Sequence, residues 1–202
     1  MLSTKPHTLY LVPSGHGVGL TSVALGVVRA LDRRGVRVAF YKPIAQHAGR
    51  DTGPEHSTAF VRKTSALTPA SPLPFDDAER LHASGRTDEL FDRVMRGFHE
   101  SLGKADVAVV EGLVDAHDTG GEAELNRELV RTLSAEVILV GALGDTPLAE
   151  FEERLERTAS RYGGFGAGRV VGTIVNRVPI PERSGRTSVF PALPTPKNPL
   201  TR

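Results

Sequence analysis

The chain has 202 residues, 39% hydrophobic and 24% charged, a length that suits one domain able to bury about 70% of its unfolded surface. Its 25 basic residues stand against 24 acidic ones, and only 5% of residues are aromatic, which excludes a disordered charged tail, a strongly basic nucleic-acid binder and a base-stacking platform. With no cysteine there is no disulfide framework, thiolate-zinc site or cysteine nucleophile, and a reduced cytoplasm is the expected compartment.

At the N-terminus, Lys5 precedes an apolar run, Thr8 to Val12, that Pro13-Ser14-Gly15 cuts too short for a signal-peptide core. No run approaches the roughly 18 consecutive apolar residues of a membrane helix, so no membrane partner is expected. Five short β-branched runs read as strands: Thr8 to Val12, Arg37 to Tyr41, Asp106 to Val110, Glu136 to Val140 and Arg169 to Val175. Four are nearly continuous apolar runs, as in central parallel strands covered on both faces, and the segments between them supply the crossovers that parallel pairing requires.

The first helix carries Leu20, Val23, Ala24, Val27, Val28 and Leu31 on one stripe, Arg33 and Arg34 near its end, and Gly35 as a stop. A second runs from Thr87, read as its cap, to Leu102, with Leu90, Val94 and Phe98 on one face, and Gly103 ends it. Others are predicted over Glu122 to Leu133 and Pro147 to Tyr162, the latter with Thr146 as cap, Pro147 at the first helical position and Leu148, Phe151 and Leu155 inward. Gln46 to Pro54 and Thr68 to Asp77 lack periodicity and read as loops. Residues 1–178 form the expected domain. Residues 179–202 hold six of the 14 prolines and no apolar period, and read as an extended or disordered tail.

Pro13-Ser14-Gly15-His16-Gly17-Val18-Gly19-Leu20-Thr21-Ser22 joins the first strand to the first helix. In that context backbone N–H groups and a helix N-terminus can cradle a phosphate; the alternative is a tight turn that merely needs glycine. The lysine of a nucleotide-hydrolase loop is replaced by Leu20, which cannot neutralise phosphate, while Thr21 and Ser22 keep hydroxyls where a magnesium ligand would sit. A dinucleotide reading fits less well, because glycine would be needed at Leu20 and the second strand ends in Lys42 rather than a ribose-binding acid.

Lys42 stands at the carboxyl edge of the sheet and either supplies the missing cation or is a solvated strand end. Glu111, after the third strand, either holds magnesium or caps a helix, and Asn176, after the fifth, reads a nucleobase or ties a turn. Histidines such as His16, His47, His56 and His117 show no metal-ligand spacing.

Taken in this order, the glycine turn, Lys42-Pro43-Ile44-Ala45-Gln46, Val110-Glu111-Gly112-Leu113-Val114, Leu125-Asn126 with Glu128, Asp145-Thr146-Pro147 and Val175-Asn176 resemble the amino-terminal domain of long bacterial phosphate acetyltransferases over roughly residues 8 to 178. That domain is itself similar to dethiobiotin synthetase, of the P-loop class. Leu20 looks like the acetyltransferase domain, since the synthetase carries lysine there. The synthetase's magnesium-binding aspartate falls near Ser57 or Thr58, and the glycines after its glutamate are replaced by Leu113-Val114.

The resemblance implies an α/β, P-loop NTPase-like parallel sheet with helices on both faces and the last strand of the domain missing. It implies a regulatory region that senses ATP, another nucleotide with magnesium, or a further small-molecule effector. Ser14, Gly15, Gly17, Gly19, Thr21, Ser22, Lys42, Glu111 and Asn176 would hold the ligand, with Thr21 and Glu111 on the metal. Acetyl transfer from acetyl-CoA to phosphate belongs in that family to a separate catalytic domain, the expected partner of a homo-oligomer, and the ending from Arg183 reads as a truncated or frameshifted product. Two alternatives are an ATP-dependent carboxylate-amine ligase, with Lys42 in place of the lysine, and a non-catalytic oligomerisation scaffold.

Overall fold

The computed structural model describes residues 6–46, 55–115, 121–166 and 168–179. Most of the first predicted loop, His47, His117 and the tail beyond Pro179 lie outside them.

Five strands, β1 (His7–Pro13), β2 (Val38–Tyr41), β3 (Val107–Glu111), β4 (Glu136–Ala142) and β5 (Val170–Asn176), form one sheet in the order β2-β3-β1-β4-β5. Every pairing is parallel: Leu9 lies opposite Val109 on one side and Glu136 on the other, Phe40 opposite Val109, and Val140 opposite Ile174. Each predicted strand is present within two residues of its expected ends. Alternation along the strands feeds two cores, as a sheet covered on both faces requires. Tyr10, Val12, Tyr41 and Val110 point to one, and Leu11, Phe40, Val109 and Val140 to the other.

Helix α1 (Leu20–Asp32) buries Leu20, Ala24 and Val28 in the second core, with α2 (His56–Thr64) adding Val61 beside it. The first core takes α3 (Phe75–Ala83), α4 (Thr87–Leu102), α5 (Gly121–Thr132) and α6 (Leu148–Ser160), through Leu81, Leu90, Phe98, Leu129 and Phe151 among others. No helix among the described residues is long and apolar enough to cross a membrane.

Several local expectations need correction. The predicted loop over 68–77 ends early, because Pro74 is the N-cap of α3 and Asp76 and Asp77 fill its first turn, where carboxylates complement the helix dipole. Arg86 rather than Thr87 is the N-cap of α4, and Pro147 rather than Thr146 that of α6, in both cases without a side-chain cap bond. Leu148, the first residue of α6, is 60% exposed; the buried stripe begins at Phe151. Helix α2 escaped the sequence reading because it is short and polar and its cap is unusual: the Glu55 carboxylate accepts from the Ser57 and Thr58 amides at 2.6 and 2.8 Å.

Behind the sheet's carboxyl edge, Asn126 of α5 clamps the ends of two strands. Its Oδ1 accepts from the Tyr10 hydroxyl and the Leu113 amide, each at 2.8 Å, and its Nδ2 donates to the Leu113 carbonyl at 2.7 Å. Burial pushes the Tyr10 phenol well above its usual range, so it remains a donor. Gly112 is required between them: a Cβ there would stand 2.6 Å from the Leu11 carbonyl oxygen and 2.7 Å from the Tyr10 ring. Asn126→Ala would leave a phenol and two backbone groups unpaired in the core, and should cost about 3 kcal/mol in urea unfolding. Leu148→Ala, at an exposed position, should stay within about 0.5 kcal/mol of the parent.

Candidate functional site

The glycine-rich turn leaves β1 at Ser14, whose amide donates to the Val140 carbonyl of β4 at 2.9 Å, and enters α1 at Gly19. Gly17 and Gly19 have φ of +60° and +77°, a region that strongly favours glycine. Gly19 is also the N-cap of α1 and, having no side chain, leaves the first N–H groups of that helix facing the turn without a capping acceptor. A Cβ on Gly19 would lie 2.5 Å from Asn176 Nδ2.

Beside the turn, above the carboxyl ends of β1 and β3, lies a cleft of about 380 Å³ lined by Gly17 to Ser22, Lys42, Glu55, Ser57 and Glu111, among others. Its floor is a buried polar cluster assembled from four elements. Lys42, which follows β2, places its ammonium 2.7 Å from Glu111 Oε1, 3.3 Å from the Ser57 hydroxyl and 3.5 Å from Glu55. The same Glu111 oxygen accepts from Ser57 at 2.8 Å and from Thr21 of α1 at 3.1 Å, and the two hydroxyls are 3.0 Å apart. Glu111 is 1% exposed, Ser57 3% and Lys42 6%. Burial raises the Glu55 carboxyl, but the Lys42 ammonium and the hydrogen bonds from Thr58 and Ser57 outweigh it and hold Glu55 below the usual carboxylate range.

Thus Thr21, Lys42 and Glu111 are brought together, with Gly17, Gly19 and Ser22 on the cleft wall. Lys42 is a buried ion-pair partner rather than a solvated strand end. Of the two positions where the magnesium-binding aspartate was expected, Ser57 faces the cluster, whereas the Thr58 hydroxyl is buried without a partner. Asn176 engages its own chain on both sides of its amide: Nδ2 donates to the Val18 carbonyl at 2.9 Å, and Oδ1 accepts from the Arg177 amide at 2.9 Å. It ties β5 to the glycine turn and does not line the cleft. Ser14 and Gly15 face away, toward a second cleft on the other side of the turn.

Sequence reasoning missed Glu55, whose signal was a carboxylate two residues ahead of Ser57 at the start of a polar segment. It also left Gln46 unassigned; its amide bridges the segments after β2 and β3, accepting from the Val114 amide and donating to the Val114 carbonyl at 2.8 and 2.9 Å.

The cleft has the chemistry that a magnesium-bound phosphate needs. Hydroxyl and carboxylate oxygens are hard donors suited to Mg²⁺, and Glu111 Oε2 is buried without a hydrogen-bond partner. Lys42 is the one lysine or arginine among the described lining residues, against Glu55 and Glu111, so the cluster carries a formal charge of −1. A bare polyphosphate would be repelled, and a divalent cation would reverse the sign. Leu20, buried at 6% in the core beneath the turn, adds no charge.

Comparison with known proteins bears on the family and the fold. The family model AAA_26, described as an AAA domain, matches residues 7–196. The chain is 41% identical over 172 residues to a phosphate acetyltransferase of Pseudomonas aeruginosa, covering 85% of this chain and 24% of that protein. It is 39% identical over 182 residues to the phosphate acetyltransferase of Escherichia coli strain K12, covering 89% and 25%. The chain therefore spans about a quarter of the length of the curated relatives it matches. Among solved structures, the signal recognition particle receptor FtsY from Elizabethkingia anophelis superposes with a TM-score of 0.52 at 16% identity, covering 85% of this chain and 50% of that one. The 54 kDa signal recognition particle protein from Aeropyrum pernix K1, solved with GDP, gives 0.51 at 18% identity, covering 85% and 35%. Those likenesses show the P-loop NTPase-like fold. By sequence and by fold, the chain belongs to the AAA-domain family and is homologous to a quarter-length part of the bacterial phosphate acetyltransferases.

Proposed function

We propose that this chain is a regulatory domain of the phosphate acetyltransferase type, which binds a nucleotide with Mg²⁺ and does not turn it over. The observation that carries this reading is the distribution of positive charge around the turn. Leu20 stands where a nucleotide hydrolase places lysine, and the nearby Lys42 is tied to Glu111 at 2.7 Å. Ground-state binding can rest on turn N–H groups, the end of α1 and a metal held by Thr21 and Glu111. Catalysis needs extra positive charge on the oxygens where charge develops in the transition state, and a leucine supplies none.

In this reading the acetyl transfer between CoA and phosphate is performed by a catalytic domain that the regulatory domain controls within a homo-oligomer. A ligase like dethiobiotin synthetase is the second reading, favoured by one observation: the Lys42 ammonium sits in the cluster beside the turn. Bound magnesium nucleotide would have to draw that ammonium off Glu111 and toward phosphate.

Calorimetric titration with ATP and Mg²⁺ should show one site that is lost in Gly19→Val, because φ is +77° and the Cβ would meet Asn176. Phosphate release, with or without carboxylate and amine substrates, should stay at the level of buffer; turnover would overturn the sensor in favour of the ligase. Leu20→Lys, which puts a charge at a position 6% exposed in the core, should lower stability in urea unfolding by about 2 kcal/mol.

A pH experiment tests the cluster itself. Because the folded-state carboxyl of Glu55 titrates below its ordinary value of 4.5, its ionised form stabilises the fold above that pH and the contribution is lost as pH falls through the folded value. The stability gap between the parent and Glu55→Gln should therefore be full at pH 7 and close progressively below about pH 4.5 in urea unfolding.

A further inference from the structure

On the opposite side of the glycine turn, between it, α5 and α6, lies a second cleft of about 480 Å³. Its composition is the reverse of the first. Arg154, Arg157 and Arg161 line it from positions three and four apart on the same side of α6 and its C-terminal end, with Ser14 from the turn and Thr158 beside them. Asp115 is the one carboxylate among the described lining residues, and it is already engaged. The lining thus carries a formal excess of two positive charges, whereas the first cleft carries −1 before any metal.

An ordinary helix end accounts for part of this. Arginines near a C-terminus complement the dipole, and Arg157 pairs with Glu153 at 3.2 Å on the exposed surface. Two further observations are not explained that way. Ser14 is 7% exposed and its Oγ has no hydrogen-bond partner, although it lines the cleft. Arg154 lies against the Phe151 ring at 5.7 Å, with its Cδ only 3.8 Å from the place a Gly15 Cβ would take, and its Nε is buried without a partner. Buried polar atoms are normally paired, and an orphaned donor or hydroxyl costs stability unless something fills the site.

We propose that this cleft is an anion site, distinct from the nucleotide cleft, that takes a small metabolite carrying two negative charges as carboxylate or phosphate and needs no metal. Arg154 and Arg161 supply the guanidinium forks that match such groups, and Ser14 supplies a hydroxyl donor. His16 lines both clefts, so an anion bound here touches the same turn as the nucleotide.

The test titrates the whole chain separately with inorganic phosphate and with malonate, both in EDTA, and follows heat and the shift in thermal unfolding. Saturable binding of either probe is expected, and which of the two binds more tightly identifies the preferred headgroup. Arg154→Met and the exposed Arg161→Met should each weaken it at least tenfold, while Lys63→Met, exposed on α2 and outside both clefts, leaves it within about twofold. Arg161→Met also guards against loss of fold in the Arg154 variant. Failure of both probes to bind, affinity undiminished from the parent in both arginine variants, or binding that requires Mg²⁺ would each overturn the proposal.

Discussion

The buried pair of Lys42 and Glu111 is the interaction around which the site is organised. Two charges 2.7 Å apart, 6% and 1% exposed as residues, persist in an interior only when both are paired and hydrogen-bonded. Here Ser57 and Thr21 add hydrogen bonds to the paired Glu111 oxygen, so the pair joins the ends of β2 and β3 to the first turns of α1 and α2. Removing either charge alone would strand the other, a loss of about 3 to 5 kcal/mol in comparable buried pairs. The pair therefore holds the cleft in shape and also sets its charge.

That charge decides what the cleft can take. A standard phosphate turn supplies a free lysine beside its glycines; this one supplies Leu20 and leaves Lys42 balanced by two carboxylates. By charge, the proposed ligand of the first cleft is a metal-bound anion, and that of the arginine-lined cleft beyond Ser14 an anion without a metal. One ten-residue turn, fixed at one end by the Ser14 amide on β4 and at the other by Asn176 on Val18, forms a wall of both.

Much of the fold was legible because period and composition carry it. Strands β1 to β4 are short apolar runs whose two faces are largely buried, β5 leaves Val171 and Val175 exposed, and α1 and α4 have stripes that no strand could bury. The P-loop NTPase-like reading rested on the order of the turn, Lys42 and Glu111, and the meeting of those residues with Thr21 in one cluster follows from the parallel order β2-β3-β1. What escaped was what periodicity does not encode. Helix α2 has little apolar stripe and owes its start to the Glu55 side chain. Asn176 offered an amide to any partner, and only the closeness of Gly19 shows that the turn takes it. The inward expectation for Leu148 failed because helical spacing gives the face but not how far along the helix burial begins.

The claim at the centre of this account is that nucleotide binding depends on the Lys42 cluster and not on a turn lysine. Its most direct test is the affinity of Lys42→Met for ATP with Mg²⁺, measured beside the parent protein, with urea unfolding to establish that the variant remains folded. The account predicts a loss of at least tenfold, about 1.4 kcal/mol or more. Undiminished affinity in a folded variant would contradict it and assign binding to the turn alone.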